Sequence, residues 1–322
     1  MKLKSLIQYL ESIAPPVYQE GYDNSGLIVG DPNMKIRGVM ICLDSTEAVL
    51  TEALRKKCNV VIAHHPIVFK GLKKLNGSNY VERVVIKAIK NEIAIYAIHT
   101  NLDNMYHQGV NAKIAERLSL ENTRILQPKA TLKKLFTFVP VSDSDRVRAA
   151  LFAAGAGSVS DLHRDSYASV GMGTTGRVGA AAVKLEVLFS KAQERQIVNA
   201  LLANHPAKVV PYDIVSVENR DQQVGSGMIG ELRRAQAEKY FLQRLKRKMK
   251  ASVVRHTKLL GKPIHKVAVC GGSGGFLLRQ AIAQGADVFI TADYKYHEFF
   301  DADGQYRQSQ CGHRRQKIRG TC

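Results

Sequence analysis

Two imidazoles stand side by side in VIAHHPIVF (61–69), at the end of an apolar run and directly before Pro66. In a regular strand, neighbouring side chains point to opposite faces. One reading is that the strand breaks here. Pro66 holds His65 to extended or turn geometry, and His64 and His65 then each reach a different cation. A carboxylate between the cations would complete the arrangement, and Asp103 in HTNLDN (99–104) is the candidate bridge. Two divalent ions so held clamp and activate a bridging hydroxide, as in many hydrolases. The plainer reading is that adjacent histidines at a strand end hydrogen-bond to backbone, and that an Asp before Asn at a turn caps the next element. Nitrogen and oxygen ligands do not choose among zinc, manganese and iron.

Other polar residues follow apolar runs in the same way. Asp44 follows VMICL, His99 follows IAIYAI and Asp293 follows VFITA, while His107 stands further along its loop and His297 lies on the helix after Asp293, reading either as a pocket residue or as a surface histidine. In an open α/β sheet, ligands collect outside the carboxyl ends of the strands. His99 reads either as a partner behind the ligands or as a loop residue, and His107 as a loop residue. CGGSGGF (270–276) joins a strand to a helix start, where backbone N–H groups could hold an anion, but it matches neither GxGxxG nor a P-loop. DNSGLIVGD (23–31) reads as a turn leading into a strand.

These residues need a frame. Over residues 1–125, helical and strand-like patterns alternate, with continuous Val/Ile runs, which predicts a largely parallel sheet covered on both faces. Near residue 130 the pattern changes. KLFTFVPV, then a helix ending at a glycine, a strand within 158–175, AVKLEVLFS, a helix at 191–205 and YDIVSVEN spell β-α-β-β-α-β, a ferredoxin-like unit. After it the first pattern resumes. The reading is an α/β protein whose main domain (1–129 and 223–322) is split by an inserted domain (130–222).

The five cysteines are widely spaced with no CxxC, which suggests a reducing compartment and hence the cytoplasm. No apolar stretch is long enough to span a bilayer, so no membrane is expected. The formal charge of +19 is concentrated in 241–262 and in the tail 314–320. It reads as a solvated helix face and a basic end, or as attraction for polyanions such as nucleic acid.

In combination, DNSGLIVGD, VIAHHPIVFKGL, IHTNLDNMYHQGVNAKIAERL, VAVCGGSGGFLL and GADVFITADYKYHEFFDADG resemble the GTP cyclohydrolase 1 type 2 family, also called Nif-three-like. The middle unit is similar to the PII-like or CutA-like insertion of its longer bacterial members. The resemblance implies a toroidal homohexamer with two divalent metal ions per chain, held by His64, His65 and a bridging Asp103. It also implies metal-dependent hydrolysis of a nucleotide or related heterocycle, the alternative being a non-catalytic, metal-binding regulatory protein. One departure stands out. The family closes its site with Gly-His followed by Glu four residues later; here Gly312-His313 is followed by Lys317. A cation at that position would repel the metal ions.

Overall fold

The structure, a computed structural model, describes residues 1–129, 131–159, 162–173, 180–293 and 307–312, with Thr131, Ala180 and 307–312 as backbone alone. The chain divides into two compact units, Met1–Gln127 with Ser226–Cys322, and Pro128–Gly225.

The split unit begins with α1 (Leu3–Ile13), whose Leu3, Leu6, Ile7 and Leu10 pack on Val60, Ile62 and Ala94. A four-stranded sheet follows, built from β1 (Gly26–Val29), β2 (Val39–Asp44), β3 (Val60–His65) and β4 (Ala94–Ala97) in the order β1-β4-β3-β2. β2, β3 and β4 run parallel, and β1 lies antiparallel to β4. Two amphipathic helices connect the parallel strands. In α2 (Glu47–Arg55) the Thr46 hydroxyl caps the first turn by accepting from the Val49 N–H. In α3 (Tyr80–Lys90) Asn79 accepts from the Glu82 N–H at 3.0 Å. Leu50, Ala53, Val84, Val85 and Ala88 from these helices meet Val61 and Ile95 in one core cluster. The parallel run explains why Val60–Ala63 of β3 and the whole of β4 are continuously apolar rather than alternating.

The second sheet of this unit has six strands. After the short turn α4 (Thr100–Asp103) and α5 (Val110–Arg117) comes β5 (Leu120–Pro128). Its partners lie beyond the inserted unit: β10 (Gly225–Gln236), β11 (Val253–His256), β12 (Ile264–Ser273), β13 (Val288–Asp293) and β14 (Arg307–Gly312), in the order β11-β14-β13-β12-β10-β5. Helix α8 (Glu238–Lys248) buries Phe241 and Leu245 against Val267, Val269, Val288 and Ile290, and α9 (Leu278–Ala283) places Leu278 and Ala281 near Ala268 and Phe289.

The inserted unit contains β6 (Thr131–Pro140), α6 (Ser144–Ala153), β7 (Tyr167–Gly173), β8 (Ala180–Phe189), α7 (Glu194–Asn204) and β9 (Tyr212–Arg220). Its sheet order is β7-β8-β6-β9, and each adjacent pair is antiparallel. That is the ferredoxin-like arrangement. Both helices lie on one face, where Val147, Leu151, Ile197 and Leu201 pack against Leu135, Val139, Val183, Leu185 and Val187. Helix α6 is closed by Gly155 at φ +94°, a left-handed position that suits glycine.

Three expectations need correction. The α/β domain holds two sheets rather than one largely parallel sheet. The basic stretch 241–262 is not one helix, because α8 stops at Lys248 and β11 follows. Arg307–Gly312, which lacks strand alternation in the sequence, nevertheless forms β14, paired with β11 and β13.

Candidate metal centre

β2, β3 and β4 run parallel and therefore end on the same side, and their carboxyl ends carry the polar residues. β3 does not break at the histidines: His65 is its last residue, opposite Asp44 at the end of β2. The expected break comes one residue later, at Pro66. The rings still lie together, with centroids 5.0 Å apart, because they are held from different sides. His64 donates its Nδ1–H to the Ile98 carbonyl at 2.9 Å, and a carbonyl can only accept, so this fixes the tautomer. His65 Nδ1 lies 2.8 Å from Asp44 Oδ1. His99, two residues beyond β4, completes the group with Nδ1 2.8 Å from Asp23 Oδ1. With Nδ1 tied on every ring, Nε2 is left with its lone pair. His64, His65 and His99 each offer a ligand atom, and these atoms lie within 4.8 Å of one another.

Asp23 is a buried anchor rather than a simple turn residue. Its carboxylate accepts from His99, the Thr100 N–H, the Thr100 hydroxyl, the Asn24 N–H and the Ser25 hydroxyl. Burial raises its pKa, but the hydrogen bonds from Thr100, His99 and the backbone outweigh that and hold it at about 2. It is therefore an anion at neutral pH, which keeps the proton of His99 on Nδ1.

Asp103 ends the helical turn α4. Three buried asparagines fix that turn. Asn101 donates to the Ala14 carbonyl at 2.7 Å, Asn104 to the Tyr18 carbonyl at 2.9 Å, and Asn111 to the Asp103 carbonyl at 3.0 Å. Gly109, the residue before α5, comes so close to the carbonyls of Met105 and Leu102 that a Cβ would collide with backbone. The Asp103 side chain is thereby held with Oδ1 3.7 Å from His64 Nε2.

The electrostatics of these groups are unusual. Burial, reinforced by Asp23 and Glu20, pushes the Asp103 carboxyl up to about 7. Burial, together with His65 and His99, pushes His64 down to about 4. Asp103 Oδ1 is buried with no hydrogen-bond partner among the described residues. Leaving a polar atom in that state costs about 1–3 kcal/mol. Imidazole Nε2 atoms aimed together, beside a buried carboxylate oxygen without a partner, fit a divalent cation.

Of the sequence candidates, His64, His65 and Asp103 share this region. His99, which sequence reasoning left between partner and loop residue, belongs to the imidazole group. The missed partner is Asp23, whose signal was its place in DNSGLIVGD ahead of a strand antiparallel to β4. Asp44 orients His65. His107 is exposed and packs edge-on against Tyr106, with centroids 4.7 Å apart. Asp293 is exposed at the end of β13, on the other sheet. The CGGSGG loop is tied to α5, since the Gly271 N–H donates to Asn111 Oδ1 at 2.8 Å. His297, His313 and Lys317 lie outside the described residues.

The sequence profile of the DUF34/NIF3 family (NGG1p interacting factor 3) matches residues 1–316. The chain belongs to this family. Among its NIF3 relatives, the GTP cyclohydrolase 1 type 2 homolog of Bacillus subtilis is 36% identical over 315 residues, covering 93% of this chain and 84% of that protein. The homolog from Halalkalibacterium halodurans is 34% identical over the same share of each chain. Of solved structures, a Bacillus cereus protein related to NIF3 superposes with TM-score 0.86 at 34% identity, over 97% of this chain and 88% of that one. A Staphylococcus aureus protein does so with TM-score 0.78 at 29% identity, over 97% and 87%. The fold is thus that of NIF3 relatives along nearly the whole chain.

Proposed function

We propose that this NIF3 protein is a metal-dependent hydrolase of a nucleotide or related heterocycle, with two divalent ions per chain. His64 would serve one ion, His65 the other, and Asp103 would lie between them, with His99 as a further ligand. The observation that carries the reading is the set of three imidazoles, each tied through Nδ1, beside a buried carboxylate oxygen without a partner. When bound, the ions would supply Lewis-acid polarisation and a nucleophile available at neutral pH.

The protein's own contribution is placement. Asp23, Asp44 and the Ile98 carbonyl hold the ring orientations, and the asparagine-fixed turn presents Asp103. Phe69, half exposed with its ring edge-on to His99 at 5.8 Å, offers an apolar flank to a flat ligand. The printed names of the relatives, GTP cyclohydrolase 1 type 2 homolog, support a purine nucleotide as the first substrate to try. A cytoplasmic homohexamer, with the inserted unit as a PII-like module, belongs to the same reading.

The test is metal analysis of the purified protein and of His64→Ala and His65→Ala. About two divalent ions per chain are expected, with clear loss in each variant; unchanged occupancy overturns the assignment. Incubating the loaded protein with a nucleotide panel then tests hydrolysis. Lys317, at the family's glutamate position, favours a second reading, a metal-binding regulatory protein without turnover. Saturable nucleotide binding with no product would select it.

A further inference from the structure

From Lys239 to Lys262 the sequence holds nine Lys or Arg and no Asp or Glu. The structure turns much of this into a surface. Helix α8 buries Glu238, Phe241, Leu245 and Met249, and its opposite face exposes Lys239, Tyr240, Gln243, Lys246 and Arg247, with Lys250 just beyond the helix. The acidic residue that opens the helix cannot balance them. Glu238 is buried and accepts from the Leu260 and Gly261 N–H groups at 2.8 and 2.7 Å. None of Lys239, Lys246, Arg247, Lys248, Lys250 or Arg255 has an ion-pair partner among the described residues.

Helix stability accounts for part of this charge only. Lys246, Arg247 and Lys248 lie in the last turn, where cations favour the helix dipole, but Lys239 lies in the first turn, where they do not. Arg244 and Lys248 are also a like-charge pair four apart within the helix, a spacing that destabilises. The patch therefore costs the free protein stability that a polyanionic partner would return.

We propose that the outer face of α8, continued by Lys250, is a docking surface for the phosphate backbone of a nucleic acid, separate from the metal centre. Lys239 to Arg247 spans about 12 Å of helix, the axial length of several successive phosphates on one strand. Tyr240, 55% exposed among the cations, offers a ring on which a base can stack. A membrane surface fits less well. An interfacial helix must insert its apolar face, and here that face is committed to the core with Val267, Val269, Val288 and Ile290.

The test uses the full-length protein and fluorescence anisotropy of a labelled single strand of about 20 nucleotides, with duplex DNA, RNA and phosphatidylserine vesicles as competitors. Four phosphate contacts on a single strand predict about fifty-fold weaker binding at 200 mM salt than at 50 mM. The triple variant Lys239→Glu, Lys246→Glu, Lys250→Glu should lose at least about tenfold in affinity and flatten the salt dependence. The corresponding Gln variant should show a smaller loss, and circular dichroism should be unchanged in both. His64→Ala should bind oligonucleotide like the wild type, which separates this surface from the metal centre. No association at 50 mM salt, a triple variant that binds like the wild type, or vesicles that outcompete every oligonucleotide would each overturn the proposal.

Discussion

At the scale of single residues, Asp103 and His64 set the pH behaviour of the centre. A cation needs Asp103 ionised and His64 neutral, and His64 stays neutral down to about pH 4. Asp103, held near 7, is therefore the group that protons reach first. Metal affinity measured by titration should fall by about tenfold per pH unit below 7. The metal-free protein has the opposite sign for stability. Its folded Asp103 binds a proton between the ordinary 3.8 and about 7 that the unfolded chain has released, so stability falls as pH rises through that window. Asp103→Asn should accordingly raise the melting temperature of metal-free protein at pH 8 by about 5 °C, leave it unchanged at pH 4, and abolish metal uptake. Asp23→Asn should weaken metal binding by about 10–100-fold without removing any of the three imidazoles, because the tautomer of His99 is no longer enforced.

At the scale of elements, the turn α4 is held by side-chain amides rather than by length. Asn104 is buried, and besides the Tyr18 carbonyl it meets Glu20 at 3.0 Å and accepts from Ser226 at 3.1 Å. Asn104→Leu should strand these partners and destabilise the protein by about 1–3 kcal/mol in urea titrations. None of this was legible in TNLDN, where the asparagines look like ordinary turn residues. What the sequence does disclose follows from periodicity and local chemistry: the amphipathic helices with their Thr46 and Asn79 caps, the apolar runs of β3 and β4, and the β-α-β-β-α-β order of the insertion. Buried strands with glycines, such as β10, have no period to detect, and β14 is defined only by neighbours distant in sequence. His99 and Asp23 are 76 positions apart, and only the antiparallel pairing of β1 with β4 puts them in reach.

For the whole molecule, the inserted unit has its own two-layer core, so residues 128–225 expressed alone should give a cooperative thermal transition. For the proposed homohexamer, sedimentation should report six times the 35.6 kDa chain mass. Val39, Ile41 and Leu43, exposed on the edge strand β2, are then the apolar positions to change to Lys in a search for the contact. The insertion itself leaves the split unit from β5 and re-enters it at β10, its neighbour in the sheet. Lys129 even donates its N–H to the Val224 carbonyl at 3.1 Å, so departure and return are fastened together. Topologically the whole insertion is a swollen hairpin tip. Once it has folded, the entropy of bringing β5 and β10 together is that of a short loop rather than of a hundred-residue one, and a few turn residues in its place should let the remaining sheet close unaided.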